Sequence, residues 1–298
     1  MTVSGRDGQG DPPGFARIDI PVGEEVFDAL VSGPPDGELV LLLHGFPQSS
    51  WQWRWQLAAL GSAGYRAVAP DQRGYSPRAR PEETERYRAD HLAADALAMA
   101  DWLGGHRFHA VGHDFGAVVA WQLAGRYPDR LRSLTAVSVP HPMAMAEAMA
   151  SPTGDQLARS SYIAFFRAPE MPERLMLAEE GAGLRALFAN TGYTDRESME
   201  RYVARLLEPG ALTAALNWYR AIDPLVVLNL QPVTTPTLFV WSTDEPAIGR
   251  EAADRCADHV TGPFRYEVLE GVSHWVPEEA PEELNRLLLD HLAAARSG

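Results

Sequence analysis

The sequence predicts an α/β protein, with a mostly parallel sheet of eight strands, helices on both faces and an inserted helical region. Strand-like runs alternate with helical patterns over most of the chain. The central runs are apolar throughout, as in strands that are covered on both faces. A third observation is that residues 140–230 contain short helical patterns punctuated by turn signals and no strand pattern.

The strand-like runs are short and apolar, and most are bounded by turn residues or helical patterns. They are FARIDI (15–20), EVFDALV (25–31), ELVLLLHG (38–45), YRAVAP (65–70), FHAVGHD (108–114), LRSLTAVSV (131–139), TLFVWST (237–243) and FRYEVLEG (264–271). Three clear helical patterns lie between or after them. These are ADHLAADALAMADWLGG (89–105), GAVVAWQLAGRYP (116–128) and PEELNRLLLDHLAAA (281–295), each bounded by glycine or proline.

This pattern predicts three parts of the chain. Residues 15–139 and 231–298 are expected to form one core domain. Residues 140–230 are expected to form a helical cap domain, and residues 1–14 a disordered tail.

Composition restricts the partners of the protein. The net charge of -14 disfavours nucleic acid and anionic membrane surfaces, and no apolar run approaches the length of a membrane span. The single cysteine, Cys256, excludes an internal disulfide and a cysteine-cluster metal site. No signal peptide is visible. We therefore expect a cytoplasmic monomer or homodimer that acts on a small molecule.

The stretch FHAVGHDFGAVVAW places Asp114 between Gly112 and Gly116, after a predicted strand and before a predicted helix. A glycine-flanked turn of this kind lifts a nucleophile out of the sheet, but the residue at its centre is usually serine. Asp114 could instead be the ordinary N-cap of the helix that follows. Its partners favour a catalytic role.

Two further loops supply those partners. His274 follows the last predicted strand, and Asp244 and Glu245 follow the strand before it, which is the chain order of nucleophile, acid and base in α/β-hydrolases. We favour Glu245 as the acid, because Glu245 precedes a proline as the acid does in a G-x-x-D-P pattern; Asp244 is the alternative. The backbone amides of Phe46, in HGFP, and of Phe115 are the expected oxyanion hole.

The chain resembles the epoxide hydrolases and dehalogenases of the α/β-hydrolase fold from about Phe15 to the C-terminal helix. The stretches that carry the resemblance are HGFPQSS, APDQRGYS, GHDFG, VSVPHP, LNWYRA and GVSHWVPEEAPEELN. An aspartate suits attack at a saturated carbon, and the alkyl ester that results can be hydrolysed by water activated by His274. Such a reaction needs no metal and no cofactor.

An epoxide oxygen leaves as a basic alkoxide and needs a proton donor. In the epoxide hydrolases which the chain resembles, two cap tyrosines usually donate this proton, and Tyr219 matches the second of them. Phe165 aligns with the first, while Tyr162 lies one helical turn earlier. Residues expected to contact an apolar epoxide in the pocket are Tyr162, Phe165, Trp51, His113 and Trp275.

Two alternatives remain at this stage. A haloalkane or haloacid dehalogenase could use the same three residues, although haloalkane dehalogenases carry tryptophan and asparagine where this chain has Phe115 and Phe46. Fluoroacetate dehalogenases place arginines just after the nucleophile, whereas residues 115–118 of this chain contain no arginine. A non-catalytic ligand-binding protein of the same fold is the other alternative. Glu278 and Glu279 are expected to be solvated surface residues.

Overall fold

A computed structural model of the chain describes residues 14–296. Eight strands form one sheet in the order β1-β2-β4-β3-β5-β6-β7-β8. They are β1 (Ala16–Val22), β2 (Glu25–Ser32), β3 (Leu39–Leu43), β4 (Arg66–Pro70), β5 (Phe108–His113), β6 (Leu131–Val137), β7 (Thr237–Ser242) and β8 (Phe264–Leu269). All eight predicted strands are present. Apart from Gly14, the expected tail lies outside the described residues.

The sheet is parallel from β4 to β8, whereas β1, β2 and β4 pair in antiparallel fashion. Strands β3, β4, β5 and β7 are buried along their whole length, which explains why their sequences are apolar without alternation. Strand β5 lies between β3 and β6 near the middle of the sheet. The carboxyl ends of β3, β5 and β7 therefore share one edge, where open α/β sheets hold their ligands.

Thirteen helices accompany the sheet within residues 14–296. They are α1 (Arg54–Ser62), α2 (Ala89–Trp102), α3 (Phe115–Arg126), α4 (Pro142–Ala150), α5 (Gln156–Arg159), α6 (Tyr162–Arg167), α7 (Met171–Asn190), α8 (Arg196–Leu206), α9 (Ala211–Arg220), α10 (Pro224–Leu228), α11 (Arg250–Asp254), α12 (Val276–Glu279) and α13 (Pro281–Arg296). No helix in this part of the chain is long and apolar enough to cross a membrane.

Helix α1 has no counterpart among the predicted helical patterns. It begins directly after Trp53 and contains Trp55; the spacing of two among Trp51, Trp53 and Trp55 is the period of a strand. In the structure Trp51 and Trp53 belong to a single turn of 3-10 helix that leads into α1. Trp53 is fully buried, whereas Trp55 is 49% exposed, so tertiary packing and not a strand explains the aromatic residues.

Helices α4 to α10 form the inserted region between β6 and β7, which we treat as the cap. The cap packs over the carboxyl edge of the sheet. Tyr219 of α9 contacts the rings of Phe46 and Phe115, with centroid separations of 5.5 Å and 4.8 Å. The cap thus covers the turn between β5 and α3.

Candidate active site

The turn between β5 and α3 holds Asp114 in a strained conformation, with φ 53° and ψ -124°. A side chain at Gly112 would overlap the carbonyl oxygen of Gly116, and one at Gly116 would overlap that of Leu43. Glycine at both positions therefore lets two strands and the helix meet around the turn. The carboxylate of Asp114 makes no capping hydrogen bond to α3. The interpretation of this side chain as an ordinary helix cap is wrong.

Two backbone amides point at the carboxylate of Asp114. The amide of Phe46 donates a hydrogen bond to Oδ1 at 2.8 Å, and the amide of Phe115, the next residue, is close enough to lower the pKa of this carboxyl. The Phe46–Pro47 peptide is cis. A side chain at Gly45 would overlap the carboxylate, so the His-Gly-Phe-Pro loop needs glycine to lie against Asp114. These two N–H groups can stabilise negative charge on an oxygen that is bonded to the carboxyl carbon of Asp114.

His274 lies between two carboxylates. Its Nε2 is 3.5 Å from Oδ2 of Asp114, and its Nδ1 donates to Oε2 of Glu245 at 2.7 Å. The side chain of Glu245 is fully buried, and its Oε1 accepts a hydrogen bond from the amide of Ala247. Asp244 is exposed. Of the two candidate acids, only Glu245 therefore contacts the imidazole.

The two carboxylates change the protonation of the site. Burial alone would lower the pKa of His274, but the charges of Glu245 and Asp114 and their hydrogen bonds raise it to about 10. Burial works in the opposite direction on Asp114, yet the hydrogen bond and charge of His274 leave the pKa of that carboxyl below its usual value. At neutral pH the resting site therefore holds an ionised Asp114 beside a protonated His274.

His113 hydrogen-bonds to the loop that carries His274 and lines neither of the two cavities that reach Asp114. Its Nε2–H donates to the carbonyl oxygen of His274 at 2.8 Å, and the hydroxyl of Ser138 donates to the same oxygen at 3.2 Å. Burial, together with the charge of His274, lowers the pKa of His113 to about 3, so the ring is neutral. The expectation that His113 contacts substrate is wrong, because both ring nitrogens face buried protein atoms, the second being Nε2 of Gln52.

Two tyrosines of the cap face Asp114. The rings of Tyr162 and Tyr219 are 6.3 Å apart and nearly perpendicular, and both line the same two cavities as Asp114. Burial, reinforced by the negative charge of Asp114, raises the pKa of each phenol above its usual value. Both phenols therefore remain protonated over the whole range of ordinary pH, which is the state a proton donor requires.

Phe165 does not occupy the place of the first tyrosine, so its predicted position at the site is wrong. It packs against Phe166, with ring centroids 5.6 Å apart, and lines neither cavity at Asp114. Tyr162 and Phe166, four residues apart on α6, both lie toward the site, because residues at this spacing share one face of a helix. Tyr162 and Phe165 are one helical turn apart on α6, and the local sequence does not show which of them faces the site.

Two cavities of unequal size meet at Asp114, Tyr162 and Tyr219. The larger has a volume of 570 Å³ and is lined mostly by apolar side chains, among them Met145, Met149 and Ile163 of the cap. The smaller has a volume of 170 Å³ and holds His274. The larger lies within the usual range for small-molecule sites, about 300–1,000 Å³, and the smaller lies below it.

The two remaining candidates for substrate contact have different positions. Trp275 lines the smaller cavity and donates its indole N–H to the carbonyl oxygen of Thr191. Trp51 lines neither cavity at Asp114, because its indole N–H donates to Ser198 at 3.1 Å and Arg201 lies over its ring. The expected contact between Trp51 and substrate is therefore wrong.

Glu278 is a residue whose importance the sequence did not reveal. Its side chain is only 2% exposed and accepts hydrogen bonds from Arg54, Gln48 and the phenols of Tyr193 and Tyr202. The expectation of a solvated glutamate is wrong, although Glu279 is exposed as expected. An acidic run gives no sign of such burial. The only available signal was its position four residues after His274.

Comparisons with known proteins identify the family of the chain. The family described as the α/β hydrolase fold matches residues 38–281. The AB hydrolase superfamily protein YfhM of Bacillus subtilis is 35% identical, with 88% of this chain and 92% of that protein covered. Epoxide hydrolase A of Mycobacterium tuberculosis is 33% identical, again covering 88% of this chain and 92% of the relative.

A solved structure gives the same result. Epoxide hydrolase A from Mycobacterium thermoresistibile superposes with a TM-score of 0.82 at 28% identity, covering 94% of this chain and 98% of the other. The match extends across both the sheet and the inserted helices. The chain belongs to the α/β-hydrolase family, in the branch that contains the epoxide hydrolases, and it is a hydrolase.

Proposed function

We propose that the protein hydrolyses apolar epoxides to vicinal diols through an ester on Asp114. The observation that carries the proposal is the pair of protonated phenols, Tyr162 and Tyr219, that line the same cavities as the ionised carboxylate. An epoxide placed between them would have a nucleophile at its carbon and proton donors at its oxygen. The epoxide hydrolases among its relatives support the same conclusion.

In the first step, the carboxylate of Asp114 attacks one epoxide carbon and the carbon–oxygen bond breaks. The oxygen that leaves takes a proton from Tyr162 or Tyr219, because an alkoxide is too basic to leave unprotonated. The product is an alkyl ester on Asp114 and a phenolate. The proton carried by the resting His274 restores the phenol and leaves a neutral imidazole.

In the second step, water attacks the carbonyl carbon of the ester. The neutral His274 takes a proton from this water, and Glu245 stabilises the imidazolium that forms. The amides of Phe46 and Phe115 hold the oxyanion. Collapse releases the diol, which takes the proton from His274. The carboxyl group of Asp114 then passes its own proton to His274, and the resting ion pair is restored.

A dehalogenase would use the same carboxylate, histidine and acid, but the surroundings favour it less. A halide is a weak base and needs only weak donors, so two phenols would have no evident task in its departure. Neither Phe46 nor Phe115 offers a polar side chain to a halide. Arg159 lines the smaller cavity, but Asp155 and the carbonyls of Glu245 and Pro246 already occupy its guanidinium, which leaves little for a haloacid.

The test is a turnover screen of epoxides and haloalkanes, followed by hydrolysis in heavy-oxygen water. Diol formation without halide release is expected. In a single turnover the label should enter the peptide that contains Asp114, and it should reach the diol only in later turnovers. If label enters the diol but never this peptide, direct attack by water replaces the ester mechanism.

A further inference from the structure

The larger cavity has a charged residue at each end. Among its lining residues only Asp114 and Arg167 carry charge. Asp114 lies at the inner end, where the two cavities meet. The lining residues that are exposed, and which therefore form the mouth, are Ala150, Arg167 and Pro224. An apolar space thus runs from a nucleophile to a cation at the protein surface.

Arg167 differs from Arg159 and Arg220, two other arginines of the cap. Arg159 and Arg220 are each held by carboxylates and backbone carbonyls, at distances between 2.7 Å and 3.2 Å for their nearest partners. No hydrogen bond or ion pair of the Arg167 guanidinium is found within residues 14–296. The protein has a net charge of -14, yet this arginine at the rim of an apolar cavity has no acidic partner in the described part of the chain. Its guanidinium is therefore available to an anionic group of a bound ligand.

We propose that Arg167 binds an anionic group at the far end of the substrate, so that the preferred epoxides are amphiphilic. This inference rests on the proposed function. The epoxide lies at Asp114, an apolar chain fills the larger cavity, and a carboxylate reaches the guanidinium at the mouth. Arginine suits this task because its planar donors match the two oxygens of a carboxylate.

The smaller cavity limits the other side of the epoxide. Its volume of 170 Å³ also has to admit water beside His274. A short substituent or hydrogen fits there, whereas a long chain does not. The epoxide therefore lies near one end of the substrate and the anion at the other, as in an ω-epoxyalkanoate.

The experiment compares ω-epoxyalkanoates of several chain lengths with their methyl esters at low ionic strength. The wild-type protein should prefer the carboxylate at an intermediate length, mainly through a lower KM. Arg167→Gln should reduce this preference by about two- to fivefold, mainly by raising KM for the carboxylate, which is the effect expected of an exposed ion pair. Added salt should weaken the wild-type preference in the same way.

Two variants sharpen the comparison. Arg167→Lys keeps the charge and should retain most of the preference. Arg174→Gln is the matched control, since Arg174 is an exposed cap arginine that lines neither cavity at Asp114. A preference that is absent from the wild-type protein, or that survives Arg167→Gln undiminished, would overturn the inference. If neither carboxylate nor ester is opened to a diol, the proposed function itself fails.

Discussion

Oε2 of Glu245 lies 2.7 Å from Nδ1 of His274, whereas the side chain of Asp244, one residue earlier, is exposed. The two acids are adjacent at the end of β7, and successive side chains at a strand end point in different directions. Only one of them can therefore face the imidazole. This contact defines the orientation of the base that we propose for ester hydrolysis.

We expect Glu245→Gln to slow hydrolysis of the ester by about 10²- to 10⁴-fold, because the imidazolium loses the charge that stabilises it. Asp244→Asn is the matched control and should change the rate little. The rate of diol release after a burst of alkylation measures both. The reverse ranking would transfer the role to Asp244.

The same substitution should change the pKa of His274. Negative charges favour the protonated imidazole, so Glu245 and Asp114 hold its pKa at about 10 in the resting protein. Removing the charge of Glu245 should lower the pKa toward the ordinary value of about 6.5. Titration of the ring by NMR measures the shift. A pKa that stays near 10 in Glu245→Gln would contradict the electrostatic explanation.

His274→Gln should permit alkylation but stop hydrolysis, because the first step needs the ionised Asp114 and the second needs a base for water. A species heavier by the mass of one substrate should accumulate, as measured by mass spectrometry of the intact protein. The control is Asp114→Asn, in which no adduct should form. An unmodified His274→Gln protein that still binds substrate would count against these roles.

Tyr162 and Tyr219 should share the proton donation. Each single substitution by Phe removes one donor with almost no change in volume, so each should slow epoxide alkylation by only part of the total effect. The double variant should lose the full contribution of a general acid, about 10²- to 10⁴-fold. Stopped-flow measurement of the alkylation rate distinguishes the two single variants and the double variant. A single substitution as severe as the double one would assign the task to one phenol.

Glu278→Ala should destabilise the protein strongly. It would leave Arg54 with only the half-exposed Asp195 as an acidic partner and remove the acceptor of two buried phenols. Breaking a buried ion pair in this way costs about 3–5 kcal/mol of the free energy of unfolding. Urea unfolding measures the loss. Glu282→Ala, an exposed glutamate on α13, is the control and should change stability little.

The sequence by itself determines the sheet and the turn around Asp114, because both have strong local patterns. Short strand-like runs predicted all eight strands, and the central runs are apolar throughout because strands covered on both faces are buried along their length. The glycines around Asp114 marked the turn, since only residues without a side chain fit between β3, β5 and α3. Asp114, Glu245 and His274 each follow a predicted strand. Because parallel strands end at the same edge of a sheet, the sequence also predicts that their loops lie close together.

What the sequence could not determine depends on contacts between distant segments. Glu245 and Asp244 differ in the direction of their side chains in one loop, and only Glu245 faces His274. Tyr162 and Phe165 are one turn of α6 apart, and only Tyr162 lines the cavities at Asp114. Trp51 and His113 carry no local sign that their polar atoms are occupied by Ser198 and by the carbonyl of His274. The burial of Glu278 likewise needs Arg54 and two cap tyrosines, which are far from it in sequence. Only tertiary packing brings these groups together. A charged side chain can be buried only if it has partners, and the local sequence does not specify those partners.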